Sequence, residues 1–200
     1  MKGIKLLLHV CCGPCAIMPV LRFLDEGYAV TAWFMNPNIQ PLAEYLRRRE
    51  AATQCAEHFG IPLLYDDASW DITLWLRAVS GRDSKPDRCR YCCQSRVDAA
   101  FAKAKELGFQ AVSTSLLYSI YQPHEVIAER GRMQAKNSGI EFVYRDFRMD
   151  WQNGIDRCRT LGLYRQPYCG CVYSEAERYE KKLRRIIKDP SARPVVAQRP

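Results

Sequence analysis

The chain carries near its start an almost unbroken apolar run, Ile4 to Val10 (IKLLLHV), that ends at the cysteine pair Cys11-Cys12. A run without polar alternation needs cover on both faces, which predicts a buried strand of a parallel sheet. Helical and extended patterns then alternate along the chain. Ala16 to Gly27 sets Ile17, Val20, Leu21 and Leu24 at helical spacing, with Gly27 as a stop. Tyr28 to Met35 is rich in β-branched and aromatic residues and predicts a second strand, broken by Asn36-Pro37-Asn38. Leu42 to Phe59 predicts a charged helix ended by Gly60, Ile61 to Tyr65 a third strand, and Trp70 to Val79 a helix. After a polar loop, Ser80 to Arg88, come a helix over Cys89 to Leu107 and a strand over Phe109 to Thr114. A helix over Pro123 to Ser138, a strand over Ile140 to Tyr144 and a basic helix over Tyr173 to Lys188 complete the pattern.

Helices and strands in this alternation place the chain in the α/β class, a parallel sheet with helices on both faces. Such sheets bind ligands beyond the carboxyl ends of their strands. The first cysteine cluster stands at that end of the first strand. Residues 1–189 read as one domain and 190–200, with three prolines, as a tail. Trp151 to Cys171 has no clear period and is the segment expected to form an appendage.

With 200 residues, 48% of them hydrophobic, the chain has enough apolar surface for a core without disulfide staples. The Ile4–Val10 run is too short for a secretory signal core or a membrane span, so the expected compartment is the cytoplasm. Thiols stay reduced there, and paired cysteines read as metal or redox sites. The net charge of +8, from 30 Lys+Arg against 22 Asp+Glu, is compatible with a polyanionic partner without requiring one.

Seven of the ten cysteines fall in three tight clusters: Cys11, Cys12 and Cys15; Cys89 and Cys92; Cys169 and Cys171. Thiolates are soft ligands that favour zinc, copper(I) and iron–sulfur clusters. Cys89 and Cys92, at i and i+3 near an expected helix start, share one face, and a helix N-terminus favours thiolate. Cys169 and Cys171 flank a glycine that lets the backbone approach a cluster closely, and in an extended segment they point the same way. Cys11 and Cys12 are adjacent and are expected to diverge toward two centres. One four-iron cluster or one structural zinc takes about four protein ligands, so some thiols are left for a second metal. The competing reading is a single structural zinc with spare buried cysteines. Cys55, Cys93 and Cys158 read as small buried hydrophobes.

Five stretches together resemble the QueH family of cobalamin-independent epoxyqueuosine reductases: LLLHVCCGPC at Leu6 to Cys15, MNPNIQPLAEYLRR at Met35 to Arg48, RCRYCCQSR at Arg88 to Arg96, TSLLYSIYQPHE at Thr114 to Glu125 and YRQPYCGCVYS at Tyr164 to Ser174. The resemblance spans about residues 4–175. It implies a fold like the adenine nucleotide alpha hydrolases (HUP or PP-loop-like), with cysteines where nucleotide-binding relatives carry a pyrophosphate loop, and therefore no ATP. It implies a 4Fe-4S cluster with an additional mononuclear iron close by. The ligands it points to are Cys11, Cys12, Cys89, Cys92, Cys169 and Cys171. Cys15 stands where family members can carry an aspartate, and is a further ligand candidate. The implied reaction is a two-electron, two-proton removal of the epoxide oxygen from epoxyqueuosine at the tRNA wobble position, yielding queuosine and water.

An iron with an open position can act as a Lewis acid on the epoxide oxygen, and an adjacent cluster can pass electrons singly. No G-x-G-x-x-G follows a strand, so electrons must come from an external donor. Candidate proton donors are His9, Asp66, Asp67, Tyr121 and His124, although His9 ends a core strand and suits a packed, hydrogen-bonded role. Trp33, Trp70, Tyr118 and Tyr121 are candidates for holding an unstacked base, with core packing as the alternative. Arg47, Arg48, Arg49, Arg88, Arg90, Arg96, Arg165, Lys181, Lys182, Arg184 and Arg185 are candidate phosphate contacts. Two other functions remain in competition: a zinc-stabilised RNA-binding protein without catalysis, and a thiol-based tRNA sulfurtransferase, which would need ATP and a persulfide.

Overall fold

A computed structural model describes residues 3–82 and 84–188; the expected tail lies outside the described residues. The first apolar run forms β1 (Lys5–Val10), whose five residues after Lys5 are all buried. It lies in the middle of a five-stranded sheet with β2 (Ala29–Phe34), β3 (Leu63–Tyr65), β4 (Ala111–Thr114) and β5 (Glu141–Phe142). The strand order is β3-β2-β1-β4-β5 and every pairing is parallel. The expected class therefore holds. Both edges are shorter than the sequence predicts, because an edge strand has one neighbour and its outer residues are left to loops.

The chain winds outward from β1 through β2 to β3, then crosses back to lay β4 on the other side of β1. The point where the winding reverses lies between β1 and β4. There the connecting helices leave in opposite directions and open a crevice beyond the strand ends. α1 (Gly13–Asp25) and α2 (Leu42–Phe59) pack against each other, as do α4 (Lys85–Leu107) and α5 (His124–Ser138). α3 (Ile72–Val79) precedes α4, with Asp71 capping it through a bond from Leu74 N. A Cβ on Gly13 would overlap the Ala51 carbonyl of α2, so the first turn of α1 comes as close to α2 as a backbone can.

Two elements depart from expectation. α4 begins at Lys85, four residues before Cys89, because Ser84 caps the Asp87 amide and Pro86 fits the first turn. The segment expected to be an appendage contains α6 (Trp151–Thr160), which packs on α1. Cys158 and Leu163 of this segment join the main core. A basic helix, α7 (Val172–Lys188), follows and buries none of its residues. Among the described residues, no helix is long and apolar enough to cross a membrane.

Candidate metal centre

β1 ends at Val10, and the next residues turn directly into α1. Cys11 lies at the strand end, Cys12 takes the position just before the helix with extended backbone (φ −174°, ψ 163°), and Cys15 sits in the first turn. This corner brings Cys11 Sγ within 3.8 Å of Cys12 Sγ, and the three sulfurs lie within 4.8 Å of one another. The expected divergence of Cys11 and Cys12 is thus overturned. Divergence belongs to neighbours in a continuing strand, whereas here the chain changes direction between strand and helix. A tetrahedral ion with metal–sulfur bonds of about 2.3 Å sets its sulfurs about 3.8 Å apart, so the spacing suits a single ion.

The triad is anchored from the end of β4 and from the loop before α7. Ser115, just past β4, accepts the Cys11 amide at 3.0 Å and donates to Cys11 Sγ at 3.3 Å. Gln166 Nε2 donates to Cys12 Sγ at 2.9 Å and reaches Cys15 Sγ at 3.7 Å. Hydrogen bonds from Cys12, Cys15 and Ser115 outweigh burial and hold the Cys11 thiol well below its ordinary range. Burial and the Cys11 contact push Cys12 well up, and the contacts to Cys11 and Cys12, with burial, do the same for Cys15. The protein thus favours ionisation of Cys11 over that of its two neighbours, and a bound cation would favour the ionised form of all three.

The other four clustered thiols come from two distant stretches. Cys89 and Cys92 share a face of α4, but beyond its first turn, where the helix terminus no longer favours thiolate. Burial raises Cys89 and lifts Cys92 to about 11. Gly170, between Cys169 and Cys171, has φ 143°, a backbone state side chains rarely adopt. The buried Arg48 holds this loop: Nη1 donates to Cys169 O at 2.7 Å and Nη2 to Tyr168 O at 3.0 Å, while Nε pairs with Glu44 at 2.7 Å. Gln40 N adds a bond to Gly170 O at 2.8 Å. Cys171 Sγ accepts from Ser174 N at 3.4 Å, and Cys169 Sγ from Gln122 Nε2 at 3.1 Å.

Cys11, Cys15, Cys89, Cys92, Cys169 and Cys171 all line one cavity of about 570 Å³ beyond the β1 end, with Cys12 buried behind them. Among the described residues, only Cys11, Cys12 and Cys15 are close enough together for a single ion. The other four thiols are spread more widely around the same space. Cys93 and Cys158 also line the cavity, though Cys93 donates to Gln122 Oε1 at 3.4 Å and Cys158 to Leu163 O at 3.6 Å. Cys55 is buried in α2, away from the cavity, and burial pushes it up to about 12.

Of the proton-donor candidates, Tyr121 alone lines this cavity; it is 78% exposed and stands edge-on to Trp151. His9 is fully buried between Thr114 Oγ1 (2.9 Å) and Met35 O (3.0 Å), and burial followed by the Arg96 charge lowers it to about 4. His124 is buried against the Tyr144 hydroxyl at 3.1 Å. Asp66 and Asp67 follow β3, where Asp67 accepts from Tyr45 and Arg49. Trp33 is core, and Trp70 donates to Ile39 O. Tyr118 is buried but lines the cavity, stacked on Trp151 and bonded to its carbonyl. The side chain of Tyr118 fits because residue 154 is glycine, where a Cβ would overlap the phenol.

Three arginines expected at phosphates are instead buried: Arg48, Arg88 and Arg96. Arg88 pairs with Glu177 of α7. Arg165 and Lys85 do line the cavity and are not buried. Gln166, Gln122 and Ser115 bond the thiols, and the sequence alone does not single them out. Ser115 lies one residue past a strand end at the winding reversal, which is a readable signal, and Gln166 lies inside the Tyr164–Ser174 stretch.

The family model described as "Epoxyqueuosine reductase QueH" matches residues 6–177. The epoxyqueuosine reductase QueH of Thermotoga maritima is 36% identical over 183 residues, covering 88% of this chain and 92% of that protein. That of Dehalococcoides mccartyi is 35% identical over 177 residues, covering 88% and 96%. A solved structure described as a predicted subunit of tRNA methyltransferase from Methanocaldococcus jannaschii superimposes with a TM-score of 0.53 at 10% identity, covering 78% of this chain and 76% of that one. At that identity the likeness is one of fold.

Proposed function

The chain belongs to the epoxyqueuosine reductase QueH family, and from that premise we propose that it removes the epoxide oxygen of epoxyqueuosine at the tRNA wobble position, with a 4Fe-4S cluster and an adjacent mononuclear iron. The observation that carries this reading is the convergence of three cysteine clusters on one cavity at the winding reversal. The donor set is all sulfur, which suits iron–sulfur chemistry and excludes hard cations. In this reading Cys11, Cys12 and Cys15 would hold the single iron, and three protein ligands would leave room for substrate, as in catalytic sites with three protein ligands. Cys89, Cys92, Cys169 and Cys171, four thiols on a wider spacing, hold the cluster.

Bound iron supplies a Lewis-acidic position for the epoxide oxygen and a store of single electrons. The protein does the rest. A cavity of about 570 Å³ is in the size range of small-molecule sites and takes a nucleoside. Tyr121 and Trp151 at its edge offer aromatic faces to an unstacked base, and Arg165 and Lys85 offer positive charge to the flanking phosphates. Tyr121 Oη delivers a proton to the departing oxygen. Two electrons from an external donor and two protons convert the epoxide to the alkene and water. The setting is the reducing cytoplasm, and ATP plays no part.

The test is anaerobic purification followed by iron, acid-labile sulfide and visible absorbance, then dithionite-driven conversion of epoxyqueuosine in tRNA. Iron with sulfide and conversion support the reading. Colourless protein holding only zinc overturns it in favour of a zinc-stabilised RNA-binding protein, a reading that the single-ion spacing of the triad also suits. ATP-dependent sulfur transfer to tRNA would favour the sulfurtransferase alternative.

A further inference from the structure

Three buried arginines stand around the thiols, and two have carboxylate partners. Arg48 pairs with Glu44 and Arg88 with Glu177. Arg96, 2% exposed on α4, takes part in no ion pair among the described residues. Its Nε donates to Cys92 O at 3.0 Å, and Nη2 lies 3.9 Å from Cys93 Sγ. A guanidinium stays charged under all working conditions, so it cannot relieve its burial by losing a proton. An unpaired buried charge is strongly unfavourable. The side chain lines the cavity with Cys92, Cys93, Cys169 and Cys11, and these thiols are the groups whose negative charge would act on it most. His9, the other titratable ring it faces, is held neutral by burial and by this same charge. The negative charge that balances Arg96 must therefore come from sulfur and from what sulfur holds.

We propose that Arg96 is the fixed countercharge of the thiolate–metal set and a positioning residue that raises the potential at which that set accepts an electron. Uptake of one electron adds one negative charge and breaks no bond. A cation locked beside it in a low-dielectric site favours the reduced form. The electron comes from the external donor class of the proposed reaction, for which dithionite serves as the probe. The inference rests on the iron–sulfur reading above. It explains why a residue that sequence alone assigns to a phosphate is sealed inside the protein.

The experiment uses full-length protein purified anaerobically, with Arg96→Lys, Arg96→Met and Arg96→Gln beside the parent chain. Iron and sulfide are counted, and the reduction potential is read by EPR during a dithionite titration. Arg96→Lys should stay close to the parent. Arg96→Met should keep its iron yet hold about tenfold less reduced form at a fixed potential, a shift of about 59 mV for one electron. Arg96→Gln keeps a hydrogen-bond donor without charge and should follow Arg96→Met. If Arg96→Gln instead matches the parent, the hydrogen bond and not the charge is at work, and the inference falls. Loss of iron from both neutral variants but not from Arg96→Lys supports a charge requirement, whereas loss from all three assigns Arg96 to packing and overturns it. An unchanged potential in Arg96→Met with a raised KM for tRNA assigns the guanidinium to a substrate anion and also overturns it. A parent protein without iron or sulfide is a separate outcome: it removes the proposed function, and the inference with it.

Discussion

The two halves of the thiol set are built in opposite ways. The triad of Cys11, Cys12 and Cys15 comes from five consecutive positions at a strand-to-helix corner, and its sulfurs are already within 4.8 Å of one another. Cys89, Cys92, Cys169 and Cys171 come from a helix and a loop some eighty residues apart, and among the described residues no three of them meet that spacing. Local chain geometry makes the first group, while tertiary contacts through Arg48, Gln40 and Gln122 make the second. A site drawn from one corner of the fold is set by a few dihedral angles. A site drawn from distant segments is only as firm as the contacts that hold them.

The comparison breaks first on metal content. Cys171→Ala should lose most of the bound iron and sulfide, while Cys15→Ala should lose about one iron and keep the sulfide. Equal losses, measured by elemental analysis, would mean that the triad and the quartet are one site. Next in size is Glu44→Ala, which leaves Arg48 buried and unpaired and should lower stability by about 3 to 5 kcal/mol in a denaturant titration. It should also expose Cys171, buried in the intact loop, to thiol reagents, while reactivity of the triad stays unchanged. Gly13→Ala strikes the other half. Its Cβ would run into the Ala51 carbonyl, so α1 must move off α2, at a cost of about 3 kcal/mol. Here the triad should become reactive and Cys171 should stay protected. The smallest effect belongs to Cys55→Ala, a buried thiol away from the cavity: about 1 kcal/mol by thermal unfolding and no change in iron.

The sheet was legible because each strand is a short apolar run bounded by Gly, Pro or Asn, and each long helix carries a 3.6-residue period. α6 was not legible. Its sequence buries only Gly154 and Cys158, so no apolar stripe shows, and the helix exists because it covers α1 and seats Tyr118. The start of α4 was readable from Ser84, Pro86 and Asp87, but polar residues before a cysteine pair look equally like a loop. That a parallel sheet places the first cysteines at its ligand edge followed from the strand position alone. Which arginines are buried did not follow, because a paired interior arginine and a solvated one have the same sequence signature. Glu44 four residues before Arg48 was a hint of one pair; Glu177, from the far end of the chain, gave none for Arg88.

The staple from Arg48 to the carbonyls of Tyr168 and Cys169 has a consequence for how the protein is made. Synthesis runs from Cys11 toward Cys171, so the triad and the α4 pair leave the ribosome while the last two thiols are still unmade. Until the end of translation Arg48 has Glu44 as a partner but not the two carbonyls of the final loop. Over that interval five thiols can be occupied by whatever metal arrives first, and the corner triad is the part already shaped to take one. Under the proposed iron–sulfur reading, correct loading would be a matter of timing, with metal delivered after the final loop has closed or withheld from the nascent chain until then.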